Sequence, residues 1–260
     1  MSAVSRVLIV LALGRAGTLE GQDNYEIQVY PSATVEPRLT LVALHSNYTP
    51  DGVMTTEDGS LSNHHALHET IAVTHGFNSW FELGASVLTS VQEGQGLAWV
   101  GNQIRPRVRA PEQWHWPLGV GLSAEFGYVR QPYSMDEWSW EIQPIIDKQW
   151  GWFYWAVNPG VEIALSGPGK GKGAIFTPNA KIAADLSHTV SLGVEYYGSL
   201  GPMSGFDPAS EQEHTIYPAI DLFFGGDWEL NAGVGFGLTN ATDKMVVKVI
   251  LGRRLGSLRP

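Results

Sequence analysis

Arg105, Arg107 and Arg109 fall on every second residue of the segment QIRPRVR. Side chains alternate across an extended strand. The three guanidiniums and Gln103 therefore share one face, and Ile104, Pro106 and Val108 share the other. On a soluble protein such a row is ordinarily a solvated surface. Here its opposite face is apolar, so the basic row is expected to turn toward an aqueous interior. The same alternation places Lys181, Lys244 and Lys248 on polar strand faces, with Glu82, Glu125, Glu141, Asp147, Glu162 and Glu195 as their counter-charges. Asp185, Asp221 and Glu229 extend the acidic set. Charges held away from bulk water must pair or cost several kcal/mol each. Two roles follow: a side-chain network that fills and stiffens an interior, and a charged path whose groups set selectivity for small solutes.

Other reactive residue types carry less. His64, His65, His68 and Glu69 lie close together, but their spacing is not that of a helical zinc motif, and they are expected as surface histidines at a loop-to-strand junction. His45-Ser46-Asn47 is similar in residue type to the sites of outer-membrane phospholipase A and the lipid A deacylases. A nucleophilic serine needs its base on the same strand face, whereas adjacent residues point to opposite faces. No catalytic residue, cofactor or metal site is therefore assigned. Lys170 and Lys172 in SGPGKGKG lack the spacing of a phosphate-binding loop.

The elements that must position these charges are strands. In LGVGLSAEFGY, Leu118, Val120, Leu122, Ala124, Phe126 and Tyr128 form an apolar face, and Gly119, Gly121, Ser123, Glu125 and Gly127 a small, polar one. About ten alternating residues is the length of a tilted membrane-crossing strand. The pattern recurs over 38–46, 65–75, 80–91, 97–109, 118–128, 138–147, 153–165, 174–186, 190–197, 212–224, 229–238 and 244–255. An even count, with short turns alternating with mostly longer polar loops, predicts an all-β, closed, antiparallel up-and-down transmembrane barrel of about 12 strands. Pro106, Pro144, Pro178 and Pro218 fall inside strands, where proline removes a ladder donor, so local bulges are expected there.

Aromatic residues give a second line of argument. Phe77, Trp80, Phe81, Trp114, Trp116, Trp150, Trp152, Phe153, Phe224 and Trp228 sit at or beside the short turns. Tyr128, Tyr133, Trp138, Trp140, Tyr196 and Tyr197 lie toward the long-loop ends. Indole and phenol rings favour the headgroup level, so two belts are expected.

The net charge is −10, and no long basic face is present, which argues against nucleic-acid binding. With no cysteine, neither a disulfide framework nor a thiolate metal site can form. Residues 1–21 read as a secretory signal peptide. Arg6 forms its basic start and VLIVLAL its apolar core, with cleavage between Gly17 and Gln22. Residues 22–37 are expected as a periplasmic segment tucked against or into the barrel mouth, and 38–260 as the barrel.

The stretches 67–84, 101–119, 142–151, 195–202 and 233–254 resemble a transporter-like family of bacterial outer-membrane β-barrel proteins. That family is related to the outer-membrane proteins assigned to the phenol meta-degradation pathway. The resemblance covers about Arg38 to Leu255. It implies the outer membrane of a Gram-negative bacterium and a barrel architecture, with no defined substrate or catalytic residue. Such barrels commonly end in an aromatic residue that assists assembly, whereas this chain ends GSLRP. The expected protein is a monomeric pore or transporter for a small-molecule solute. Its partners would be outer-membrane lipid, lipopolysaccharide and the barrel assembly machinery. A lipid-directed hydrolase and a closed structural barrel are the alternatives.

Overall fold

The computed structural model describes residues 24–54, 59–92 and 94–256. The expected signal peptide and residues 257–260 lie outside them. Twelve strands form among the described residues: β1 (Thr40–Asp51), β2 (Leu67–Asn78), β3 (Phe81–Gln92), β4 (Gly96–Arg109), β5 (Gly119–Val129), β6 (Trp138–Trp150), β7 (Phe153–Ala164), β8 (Ala174–Asp185), β9 (Val190–Ser199), β10 (Glu213–Phe224), β11 (Trp228–Gly237) and β12 (Met245–Leu255). Each pairs antiparallel with its chain neighbours, and β1 closes on β12, giving one barrel. Closure leaves no sheet edge for the bilayer to meet, which is the condition for spanning it with strands.

The alternation sorts as the sequence predicts. Leu44, Ile71, Val87, Ile104, Leu122, Phe126, Ile182 and Leu192 are exposed mid-strand, Ile71 at 55%. Their inward neighbours His45, Thr70, Ser86, Gln103, Ser123 and Ser191 are buried. Trp80, Trp114, Trp116, Trp150 and Trp152 are exposed around the short-turn end, and Tyr48, Trp99, Trp138 and Trp140 around the other. Tyr197 departs from the expected belt. It points inward, is buried, and meets Tyr217 edge-on at 5.3 Å. Three strands run on well past expectation: β6 continues to Trp150, three residues beyond 147, and the other two are β1 and β2. β1 continues to Asp51 because Asn47 and Thr49 keep the inward alternation, and β2 runs on to Asn78, leaving a two-residue turn.

Residues 24–39 thread the lumen along its length. Tyr25 packs with Leu88, Val100 and Val129 toward the long-loop end. Ile27 and Val29 pack with Ala156, Tyr197, Tyr217 and Val246 further down. At the short-turn end the Arg38 N–H donates to the Gly76 carbonyl at 2.7 Å, and Gly76 N–H donates to Leu39 at 3.0 Å. Several inward glycines exist to make room for this inner segment. A Cβ on Gly76 would overlap the Val35 and Glu36 carbonyls, and one on Gly119 would overlap Ser32 Oγ and Asp147. The Gly76→Val protein is therefore expected to lose the segment from its mouth. Limited proteolysis of the refolded barrel should cut it between residues 24 and 39, where the parent resists.

Candidate functional site

The inner segment meets the inward charges of the wall one after another. Arg105 on β4 lies over the Tyr30 ring, 4.6 Å from its centre, and bonds Glu26 and the Tyr30 hydroxyl, with Glu125 at 3.5 Å. Arg107 holds Glu82 at 2.7 Å and donates to the Ala33 carbonyl at 2.8 Å. Glu82 in turn accepts the Val35 N–H at 2.5 Å. Asp147 accepts the Ser32 N–H (2.9 Å), the Ser32 hydroxyl (2.7 Å) and the Tyr154 hydroxyl (3.0 Å). Asn158 pairs with Tyr30 as a strand would: its Oδ1 accepts the Tyr30 N–H at 2.7 Å, and its Nδ2 donates to the Tyr30 carbonyl at 3.0 Å.

On the opposite wall Glu195 is the hub. It accepts from Lys248, from Lys181 at 3.1 Å, from the Tyr197 hydroxyl at 2.7 Å and from Asn231 at 3.1 Å. Lys181 also reaches Asp221 at 2.7 Å. Lys248 is fully buried and donates to the Ile27 carbonyl at 3.1 Å. The basic residues at 105, 107, 181 and 248 thus join Glu82, Glu125, Asp147 and Glu195 in one interior network. Glu125, Glu141 and Glu162 stand abreast on β5, β6 and β7, and Glu141 accepts from Gln143 at 3.1 Å. Arg109 lies apart, at the rim, with Glu112 at 3.2 Å. Lys244 precedes β12, is exposed, and donates to the Thr239 carbonyl at 2.6 Å. Glu26, Tyr30 and Ser32 are the partners that reading strand by strand misses. Their signal was the short alternation in YEIQVY.

Between the inner segment and the wall lies a cavity of about 470 Å³. It is bounded by Tyr30, Pro31, Tyr154, Lys181 and Asp221, and extends to Gln149, Asp185 and Arg254 at the short-turn end. The long-loop end is strapped. Leu61 N–H donates to the Pro132 carbonyl at 2.9 Å, Gln92 Nε2 to the Ser62 carbonyl at 3.2 Å, and Val53 N–H to Asp243 at 2.7 Å. Burial raises the Asp243 carboxyl above its ordinary value, against the Val53 N–H and the Asn24 and Asn63 amides that favour the anion. A raised folded pKa contributes stability that is complete below the ordinary carboxylate range and is lost as pH climbs through the raised value. The strap is therefore expected to hold more tightly in mild acid than at neutral pH. Amide exchange at Val53, corrected for intrinsic rate, should show this, and Asp243→Asn should remove the pH dependence.

The remaining candidates separate. His45 is buried inside, its Nε2 4.0 Å from Glu26, while Ser46 faces outward and donates to Glu69 at 2.7 Å. They form no nucleophile–base pair. His68 is not a surface residue: it is buried inside, 4.4 Å from the Tyr25 ring centre and 3.1 Å from Asn63 Oδ1. The sequence places it near a loop, but the inner segment covers it.

An apolar exterior with two aromatic belts around a polar, charged interior defines a transmembrane barrel of the outer-membrane kind. No family model and no curated protein matches the chain. Among solved structures it is similar to the COG4313 outer membrane channel from Pseudomonas putida F1, with a TM-score of 0.59 and 10% identity over 88% of this chain and all of that one. It is also similar to the KdgM porin, with a TM-score of 0.55 and 9% identity over 82% of this chain and 98% of that one. At these identities the likeness is one of fold.

Proposed function

We propose that this protein is an outer-membrane pore for small molecules whose resting lumen is occupied by its own residues 24–39. The observation that carries this reading is the charged lumen itself. A barrel needing only stiffness could be filled with apolar side chains, which replace buried ion pairs at little or no loss of stability. Here charged groups line the wall from Arg105 in mid-barrel to Glu229 and Arg254 at the short-turn end, around a cavity already about 470 Å³ in volume. The similar COG4313 and KdgM structures are described as a channel and a porin, which supports the same role here. The sequence resemblance to phenol meta-degradation proteins supports a small aromatic or otherwise apolar solute. The protein works as a monomer, inserted by the barrel assembly machinery among lipid and lipopolysaccharide. We assign it no hydrolytic role, because His45 and Ser46 face opposite sides of the wall.

Single-channel recording in planar bilayers tests the reading. With the inner segment released, Arg105→Glu or Arg107→Glu is expected to shift ion selectivity toward cations and to lower anion current. Selectivity that ignores both reversals would show that these side chains do not line the conducting path.

A further inference from the structure

Near the short-turn end the register sets five inward residues side by side across β8 to β12: Asp185, Ser191, Asp221, Asn231 and Ile250. All five line the cavity between the wall and the inner segment. Neighbouring strands lie about 4.8 Å apart, so Asp185 and Asp221 stand roughly 10 Å from each other with the Ser191 side chain between them. One layer deeper, β8 to β11 carry only Ala183, Gly193, Ala219 and Gly233 on this face. The wall behind the row is therefore nearly bare backbone, and Ala183 borders the same cavity.

Six carboxylates and four cationic side chains line this cavity, and each of the four is already engaged. Arg105 holds Glu26, and Arg107 holds Glu82 at 2.7 Å. Lys181 lies between Glu195 at 3.1 Å and Asp221 at 2.7 Å, and Glu195 has Lys248 as well. Arg254 lies between Glu229 at 2.7 Å and Glu36 at 3.4 Å. Asp185 stands outside these pairs. One of its oxygens accepts from Gln149 Nε2 at 2.8 Å, and no cation among the described residues forms an ion pair with it. Ser191 is only 6% exposed, yet its hydroxyl makes no hydrogen bond among the described residues. Asn231 gives its Nδ2 to Glu195 at 3.1 Å and to Asp221 at 2.8 Å, and its buried Oδ1 has no partner. The row thus presents oxygen acceptors and an excess of negative charge. A cleft lined by one sign of charge concentrates solutes of the other.

We propose that this cavity is a binding station for a small organic cation, a primary amine carried on an aromatic or otherwise apolar body. This rests on the permeation reading above and names its solute class. A protonated amine brings three donors and no acceptor, which complements a row of acceptors. Its ammonium sits between Asp185 and Ser191, and its body lies against Tyr154, Pro31 and Phe223, which line the same cavity. The Tyr154 hydroxyl is tied to Asp147 at 3.0 Å, which fixes a ring whose face also attracts cations. The volume of about 470 Å³ falls within the range of small-molecule sites, about 300–1,000 Å³. A bare metal ion fits the row less well, since no three acidic or histidine side chains among the described residues converge as ligands. An anionic solute would meet Asp185 with every lining cation already paired. Asp185 is exposed at the short-turn end, so the station can be reached with the inner segment in place.

Isothermal titration of the whole folded barrel in detergent micelles at neutral pH tests this with 2-phenylethylamine, 2-phenylethanol and 3-phenylpropanoate. The amine is expected to bind about tenfold more tightly than the alcohol, the factor that a hydrogen bond to a charged partner supplies. The carboxylate should not bind. Asp185→Asn should lower amine affinity by about tenfold and leave the alcohol unchanged. Ser191→Ala should lower it in the same direction by a smaller factor. Glu112→Gln, which removes an exposed charge at the same end but outside the cavity, should change neither ligand. Heat-modifiable gel mobility confirms that each variant is folded. No binding of the amine, equal binding of amine and alcohol, or amine affinity indifferent to Asp185→Asn overturns the station. Salt current through the segment-released barrel reads the pore separately. A barrel that conducts but ignores the amine loses the station alone, and one that binds the amine but never conducts loses the pore alone.

Discussion

Deleting residues 24–36 is expected to turn a barrel that passes almost no current into one with resolved, long-lived open steps. The inner segment occupies the lumen from Asn24, held by Asn47 at 2.8 Å, to Val35, held by Glu82 at 2.5 Å. Removing it does not strand the wall charges. Arg107 keeps Glu82, and Lys248 and Lys181 keep Glu195. Water then enters beside groups that already have partners, so the barrel should remain folded while its interior becomes a path. Heat-modifiable gel mobility would confirm the fold, and planar-bilayer recording would read the current. A deleted barrel that stays folded and silent would mean that the strap at Val53, Leu61 and Ser62 closes the lumen by itself.

The second large effect is on stability. Glu195→Leu removes the carboxylate that forms ion pairs with both Lys248 and Lys181. Lys181 retains Asp221 at 2.7 Å, but Lys248, with no exposed surface, is left facing the Ile27 carbonyl and the Tyr197 hydroxyl. Breaking a buried ion pair from one side typically costs about 3–5 kcal/mol, because the surviving charge is uncompensated. Replacing both members with Glu195→Leu and Lys248→Met should cost clearly less than the single change, since no buried charge then lacks a partner. Urea unfolding in detergent micelles measures both. A double variant as weak as the sum of the singles would show that the hub stabilises through packing rather than through charge.

The wall was legible in the sequence because each strand carries its own evidence. Alternation at period two is local, and Leu118 to Tyr128 reveals its two faces without reference to any other strand. Its inward glycines were visible as well, but not their purpose, since Gly119 is small on account of Ser32 and Asp147. The charges at 105, 107, 181 and 248 could be placed on an inner face, but not their pairing. Arg105 meets Glu26 across 79 residues of chain and Lys248 meets Ile27 across 221, separations at which no periodicity survives. The inner segment was hardest to read because side chains of distant strands hold it rather than a ladder of its own.

The inner segment runs directly into β1 through Leu39, and β1 meets β12 to complete the ring. A cord tied at one mouth and reaching the other must be laid in place before the hoop shuts, or else be drawn through afterwards. The first order makes it a mandrel around which the final β1–β12 seam zips, with its buried Glu26 and Tyr30 collecting Arg105 as the staves gather. A folded cargo fused ahead of Asn24 could not be drawn through a lumen this full, so biogenesis and permeability answer to the same few residues.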